Sequence, residues 1–570
     1  MRTTAILALM LLPAPSSAAE AKPQGFRGEI SDVTWSTPED TIKAGDASHD
    51  IDLVAMGRWA QHFLVHNARP KLGYACRFSL DWSCPPRGLD RVDSVADGDT
   101  DCRFDWEYMF LAEMCGVRNT AESAAGVRRR ILGYLNKDNL ASGMVGMYCG
   151  GKVPKDAVAM WTTGHIMVSL AETFARTGDT KAKQRAREVF VALRGLASWD
   201  AGRAWYAGGL GPYKDGKWYD TFGTFLPGCQ TEHVFRYWEL TGDPEALEFA
   251  KALAQGTVDG LQKNLGCSRF RPDGSFSAHT HLHTYEVWGV AHLGAVLRER
   301  NLTEWARSVY EYVRSRGADY GWFPERMILN NDKPWDGFPN RIHESETCVT
   351  GDMVCIATWL ARGGHPEYWD HIERYLRNYI RSVQFFLSPE AENKYRQQWR
   401  AGGKSEKEIE AALANIRGYQ GGFGAMMGVN AVSQHPCGCC AGSGMRALYT
   451  AWKNAVIEDS RGVWINMSFN RDGPSATVVS SLPETGRLSV TAKKQRTFYL
   501  RPPSWAPRGE VRSFRNAKPT TPVWEGDYVL FANAAKGEQL AITYPLPQFT
   551  QTLKVGGKLE EQRTYRLQWK

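Results

Sequence analysis

The sequence predicts an α + β multidomain chain, an (α/α)6 toroid followed by a C-terminal β-sandwich, on three observations. Small polar turns recur at roughly 60-residue intervals through the middle of the chain, each flanked by helical periodicity. After about residue 459 that period gives way to short β-branched or alternating runs separated by Gly, Pro, Asn and Asp. The length of 570 residues also exceeds what one hydrophobic core usually supports, so at least two domains are expected.

Residues 1–19 have the pattern of a signal peptide. Arg2 supplies a positive start, Ala5 to Pro13 a short apolar run, and Ser16-Ser17-Ala18-Ala19 the small residues that cleavage needs. A secreted or periplasmic location is therefore expected. Residues 20–50 form an N-terminal segment whose strand-like pieces are expected to join the sandwich.

Residues 51–458 carry the toroid. Its turns are Cys115-Gly116-Val117-Arg118-Asn119, Thr177-Gly178-Asp179, Thr241-Gly242-Asp243, Arg300-Asn301-Leu302 and Gly363-Gly364-His365. Gly or Asn suits a helix C-terminus, while Asp, Asn or Thr caps the helix that follows. After Asp179, Ala186, Val189, Phe190, Leu193 and Leu196 share one face and Lys181, Lys183, Arg185 and Arg187 stay largely outside it. Comparable helices are expected over Pro244–Thr257, Thr303–Arg316 and Glu367–Ser382, with helices near 51–66 and 441–454 closing the ring. Residues 459–570 then supply the sandwich, through strands at Val463–Phe469, Ala476–Ser480, Leu488–Ala492, Thr497–Arg501, Tyr528–Ala532 and Gln539–Tyr544.

Composition narrows the partners. The formal charge of +7 is the difference of 69 basic and 62 acidic residues, with no sustained Lys/Arg block, which argues against nucleic acid. Beyond the leader, no uninterrupted apolar run reaches the ~18 residues of a membrane span. Twenty-one tryptophans suit sugar-stacking surfaces, although core packing accounts for most such residues.

Twelve cysteines in an exported chain first suggest disulfides, such as Cys76 with Cys84 or Cys102. The crowding of Cys437, Cys439 and Cys440 into four positions suits a metal better. Two segments carry this chemistry: His343-Glu344-Ser345-Glu346-Thr347-Cys348, and His435-Pro436-Cys437-Gly438-Cys439-Cys440. Glu346, Cys348, Cys439 and Cys440 offer one carboxylate and three thiolates, enough for a four-coordinate Zn2+. A closed structural zinc site and a catalytic one are equally open on this reading, and oxidised cysteines without metal are a third. Cys355, two turns after Cys348, suits packing, and Cys437 is a spare ligand or an oxidation-prone neighbour.

At these residues the chain resembles the bacterial β-L-arabinofuranosidases of glycoside hydrolase family 127. That family has an (α/α)6 barrel followed by β-sandwich domains, with Glu-Thr-Cys downstream of Pro-Asn and a distant Cys-Cys. Here Pro339-Asn340 precedes Glu346-Thr347-Cys348, and Cys439-Cys440 is the pair. Trp161-Thr162-Thr163-Gly164-His165 is similar to the family's first active-site histidine segment, and His283 is a looser match to its second. Leu500-Arg501-Pro502-Pro503-Ser504-Trp505-Ala506 resembles a stretch of its sandwich. The resemblance implies a retaining exo-glycosidase acting on L-arabinofuranosides in an oligo- or polysaccharide. It makes Cys439 both zinc ligand and nucleophile, with Glu346, Cys348 and Cys440 as the other ligands.

The acid is where the pattern departs. The family's glutamate lies sixteen residues before the zinc-binding one, and that position here is Asn330, which cannot serve. Glu325 is the substitute chosen, with Asp332, Asp336 and Glu344 as competitors. His165, on an apolar helical stretch, is read either as a packed core residue or as a sugar ligand. Alternation of His279, His281 and His283 suggests a strand or extended loop, from which His283 is chosen to contact sugar. Asp101 and Trp106, near a helix start, are binding candidates, although acids there also serve the helix dipole. Two other functions fit the same toroid: a polysaccharide lyase, and a non-catalytic glycan-binding protein with structural zinc.

Overall fold

The computed structural model describes residues 51–555 and 563–569, apart from 79, 87–95, 117–119, 143–153, 155, 208–212, 219–228, 260–269, 328–343 and 426–434. The leader and the 20–50 segment lie outside these residues, as do Asn330, Asp332, Asp336 and Pro339-Asn340. Up to Ala455 the described chain is mainly helical. From Val456 onward it is mainly strand.

The helices are α1 (Leu53–Asn67), α2 (Ala96–Cys115), α3 (Ala121–Leu132), α4 (Met160–Thr177), α5 (Thr180–Gly195), α6 (Thr231–Thr241), α7 (Pro244–Val258), α8 (Thr280–Leu297), α9 (Arg300–Arg316), α10 (Thr347–Arg362), α11 (Tyr368–Tyr375), α12 (Arg381–Val383), α13 (Pro389–Ala401), α14 (Glu406–Gly418) and α15 (Gly438–Ala455). A π turn over Leu376–Ile380 joins α11 to α12. Among the even-numbered helices α2 packs on α4, α4 on α6, α6 on α8 and α8 on α10; α10 then meets α15, and α15 returns to α2. Each of α3, α5, α7, α9 and α11 packs against the helix before it.

The caps show why the chain turns where it does. Gly178 and Gly242 end α4 and α6 in the left-handed region, at φ 74° and 73°, and Asp179 and Asp243 cap the next helices through their carboxylates. The turn expected at Arg300-Asn301-Leu302 falls earlier, because Arg298 itself adopts φ 57° and α9 already starts at Arg300. On α5 the expected Ala186, Val189, Phe190 and Leu193 are buried. The helices α13 and α14 lie between α12 and α15, and α13 buries no side chain fully.

Short pairs β1 (Ser198–Asp200) with β2 (Arg203–Trp205), β3 (Tyr213–Lys214) with β4 (Lys217–Trp218), and β5 (Ala278–His279) with β6 (Arg326–Met327) decorate the helical part. Thereafter β7 (Val456–Glu458), β8 (Val463–Ile465), β12 (Arg496–Leu500), β15 (Trp524–Glu525) and β16 (Tyr528–Ala534) form one sheet, in the order β15-β16-β12-β8-β7. A second sheet contains β9 (Arg471–Asp472), β10 (Ala476–Ser480), β11 (Arg487–Ala492), β13 (Arg512–Arg515), β14 (Lys518–Thr520) and β17 (Gln539–Thr543), in the order β14-β13-β17-β11-β10-β9. β18 (Phe549–Val555) and β19 (Arg563–Trp569) pair with each other. One hydrophobic cluster draws Val463, Phe498 and Val529 from the first sheet and Val478, Leu488 and Ile542 from the second. Arg501 ties sheet to helices: its guanidinium bonds Asp370 of α11 at 2.6 Å and the Asn466 carbonyl at 2.7 Å.

A buried ionic staple crosses three inner helices. His292 of α8 stacks on Trp359 of α10 with ring centres 3.7 Å apart, and its nitrogens lie 2.9 Å from Glu232 and 3.2 Å from Glu239, both on α6. Burial alone would lower the imidazole, but the two carboxylates outweigh it and raise it to about 9. The folded-state value is thus above the ordinary 6.5, so this stabilisation is complete below pH 6.5 and is lost as pH rises through about 9. Its size is roughly 3 kcal/mol. In urea titrations at pH 6, the midpoint of His292→Gln is expected well below that of the wild type, with the gap closing towards pH 9.5. A gap independent of pH would refute the ionic reading.

A candidate metal centre where two helices begin

The two cysteine segments become two helix starts. Glu346 is the N-cap of α10 and Cys348 stands in its first turn, while Cys437 is the N-cap of α15, with Cys439 and Cys440 in its first turn. Helix N-termini carry partial positive charge and favour thiolates. The two helices come close because Gly351 of α10 has no Cβ, which would stand 2.7 Å from the Ser443 carbonyl oxygen of α15. Gly438 is required for a similar reason, since a Cβ there would meet the Arg77 carbonyl oxygen at 2.7 Å.

The result is that donor atoms of Glu346, Cys348, Cys439 and Cys440 lie within 4.8 Å of one another. The sulfurs of Cys348 and Cys440 are 3.7 Å apart, and those of Cys439 and Cys440 are 3.9 Å apart. Two sulfurs held about 2.3 Å from one tetrahedral ion stand about 3.8 Å apart, so the spacing fits a shared cation. Burial pushes the Cys348 and Cys440 thiols well up from their ordinary range, so without a cation they hold their protons. All four cysteines of the two segments are thiols, and Cys76, Cys84 and Cys102 are not bridged to one another. Cys355 is buried near Thr450. Exposure separates the four donors: Cys439 is 9% exposed, Glu346 4%, and Cys348 and Cys440 0%.

Glu346 also belongs to a second group, with His279 and Glu325. The His279 Nε2 is 2.8 Å from a Glu346 oxygen and 4.0 Å from a Glu325 oxygen. Burial raises the Glu346 carboxyl but is outweighed by His279, and the net shift is downward. Backbone pairing fixes Glu325 beside the centre: its N–H donates to the Glu344 carbonyl and its carbonyl accepts from Thr280, both at 2.8 Å. β5 and β6, which pair His279 with Arg326, complete this frame.

Around the centre runs a buried polar network that the sequence did not disclose. His281 Nδ1 is 2.7 Å from Asp352 of α10, whose other oxygen accepts from Arg446 of α15 at 2.6 Å. Asp352 outweighs burial and raises His281 to about 9. Arg103 of α2 is bracketed by Asp99, Ser443 and His281 and lies over the Trp161 ring.

The remaining candidates are placed differently. His165 is buried, stacked on Trp106 at 4.4 Å, and close to Trp161 and His233. Trp106 gives its indole N–H to the His165 carbonyl. Asp101 is fully buried, accepting from the Cys76 N–H and from Arg130 and Tyr134, which makes it an anchor of α2. His283 lies face to face on Phe276 at 4.5 Å, with Nδ1 against the His279 carbonyl. The extended reading of this segment fails because α8 starts at Thr280. Alternate residues of a helix point about 200° apart, so His281 and His283 diverge. His279 and His281, not His283, stand at the centre.

No family model matches the chain, and no curated protein sequence does. Among solved structures, the fold is similar to a GH127 beta-L-arabinofuranosidase from Geobacillus stearothermophilus T6, at 14% identity over 90% of this chain and 79% of that one, with a TM-score of 0.53. A GH127 beta-arabinofuranosidase gives 12% identity over 90% and 80%, with a TM-score of 0.56. A further glycoside hydrolase gives 14% over 89% and 79%, with a TM-score of 0.54. At such identities the likeness is one of fold. Among the described residues, no helix is long and apolar enough to cross a membrane.

Proposed function

We propose that this chain is a distant relative of the GH127 β-L-arabinofuranosidases: a retaining exo-glycosidase with a zinc-bound cysteine nucleophile, acting on L-arabinofuranosides of an oligo- or polysaccharide. In this reading residues 51–458 are an (α/α)6 toroid, residues 459–570 a β-sandwich, residues 1–19 a signal peptide, and the protein is exported. The observation that carries it is the juxtaposition of three thiols and Glu346 within 4.8 Å of one another, with Cys439 the most exposed of them and Glu325 beside the same carboxylate.

A bound zinc ion would keep the coordinated sulfurs deprotonated and in place. The Cys439 sulfur attacks the anomeric carbon and the glycosidic C–O bond breaks. Glu325 delivers its proton to the departing oxygen. As carboxylate, Glu325 then takes a proton from the water that displaces the sulfur, and two inversions give net retention. His279 holds Glu346 in position and flanks Glu325, and in this reading His165, stacked on Trp106 and beside Trp161, is a sugar ligand.

A closed structural zinc in a non-catalytic glycan-binding protein is the second reading, favoured by the presence of four protein donors with no vacant position. Metal analysis with an aryl-glycoside screen separates the two. The expected result is about one zinc per chain, release of aryl alcohol from an L-arabinofuranoside, and loss of that activity on chelation. Zinc without hydrolysis of any glycoside in the screen would establish the structural reading instead.

A further inference from the structure

Resting on the zinc-thiolate reading, we infer that Cys437 is a reserve ligand that takes the place of Cys439 when the Cys439 sulfur is engaged elsewhere. The nucleophile in this site has two duties that conflict. Once its sulfur is bonded to carbon it is a neutral thioether, a much weaker metal ligand than a thiolate. The ion would then be left with Glu346, Cys348 and Cys440.

Cys437 is placed to meet this need. Its sulfur is 3.8 Å from that of Cys439, the same spacing that separates the other neighbouring sulfurs of the centre. It nevertheless stands outside the group whose donors are all mutually within 4.8 Å. As N-cap of α15 it has extended backbone, φ −131° and ψ 144°, and its side chain makes no capping bond to the helix. No capping bond is broken when it turns. A change of χ1 well moves a cysteine sulfur by about 3 Å, most of that gap. The backbone around it is anchored independently, by Gly438 N–H to the Phe78 carbonyl at 2.8 Å and Cys437 N–H to the Phe423 carbonyl at 3.2 Å. In the exchange Cys437 would give its S–H proton to solvent and hold the cation as a thiolate in place of Cys439. No oxidant or reductant is involved.

Cobalt(II) in place of zinc reads this directly, because the near-ultraviolet sulfur-to-cobalt band grows with the number of coordinated thiolates. Wild type and Cys437→Ser are expected to show the same band. Cys439→Ala is expected to match them, since Cys437 restores the third thiolate, and the Cys437→Ser/Cys439→Ala double variant is expected to lose about a third of the intensity. A loss of a third in Cys439→Ala alone, with no further loss in the double variant, would overturn the inference. In Cys439→Ala alone, metal loading should also protect Cys437 from iodoacetamide, and equal labelling with and without metal would overturn it too. Wild-type protein that takes up no cobalt would instead remove the metal reading beneath it.

Discussion

Cys439→Ser is expected to lower kcat on an aryl L-arabinofuranoside by about 10^4-fold or more, on the order of 5 kcal/mol of transition-state stabilisation. The size follows from the nature of the step. A hydroxyl is a far poorer nucleophile than a metal-activated sulfur, Cys348 and Cys440 are wholly buried, and Cys437, the more exposed thiol, stands outside the four-donor group. The same substitution is expected to leave the fold intact, because serine fits the first turn of α15 and Cys440 still packs on Cys348. Steady-state kinetics beside a circular dichroism spectrum checks both halves. A folded Cys439→Ser protein with wild-type turnover would show that the sulfur is not the nucleophile.

Glu325→Gln is expected to produce the second largest effect, and one with a distinctive signature. Removing a general acid–base group typically costs about 10^2- to 10^4-fold, and the loss falls on whichever step needs the proton. With a disaccharide, whose leaving group must be protonated, kcat is expected to fall by about 10^3-fold. With a nitrophenyl glycoside the first step needs little help, so the sugar accumulates on the enzyme and nitrophenol appears as a burst. Stopped-flow absorbance measures that burst. Equal losses on both substrates, without a burst, would reassign Glu325 to a structural role at the β5–β6 pair.

How much of this could be read from the chain alone depended on whether the determining contacts were local. Helix starts and stops on α4, α5, α6 and α7 were legible because Gly178, Asp179, Gly242 and Asp243 act on their own neighbours. That Glu346, Cys348, Cys439 and Cys440 could hold a metal was legible because residue type and spacing within each short segment limit what the sulfurs can do. The polar network was not, since Arg103, His281, Asp352 and Arg446 come from four different helices and meet only after packing. The placement of His283 was hidden for a related reason: three alternating histidines look extended until Thr280 begins a helix, which sends His283 to Phe276 and leaves His281 at Asp352. The early turn before α9 gave no glycine signal, because Arg298 takes the left-handed conformation itself. Asp101 read as a binding candidate or a helix-dipole acid, and its partners Arg130, Tyr134 and the Cys76 N–H come from elsewhere in the fold.

A zinc-thiolate glycosidase must form a bond between a sulfur of this centre and the sugar. Zinc-loaded protein should be treated with an epoxide analogue of L-arabinofuranose, digested, and examined by peptide mass spectrometry. One adduct per chain, carried by Cys439 and abolished by prior addition of substrate, is the predicted result. An adduct on Glu325 or Glu346 instead, from protein that hydrolyses arabinofuranosides, would contradict it.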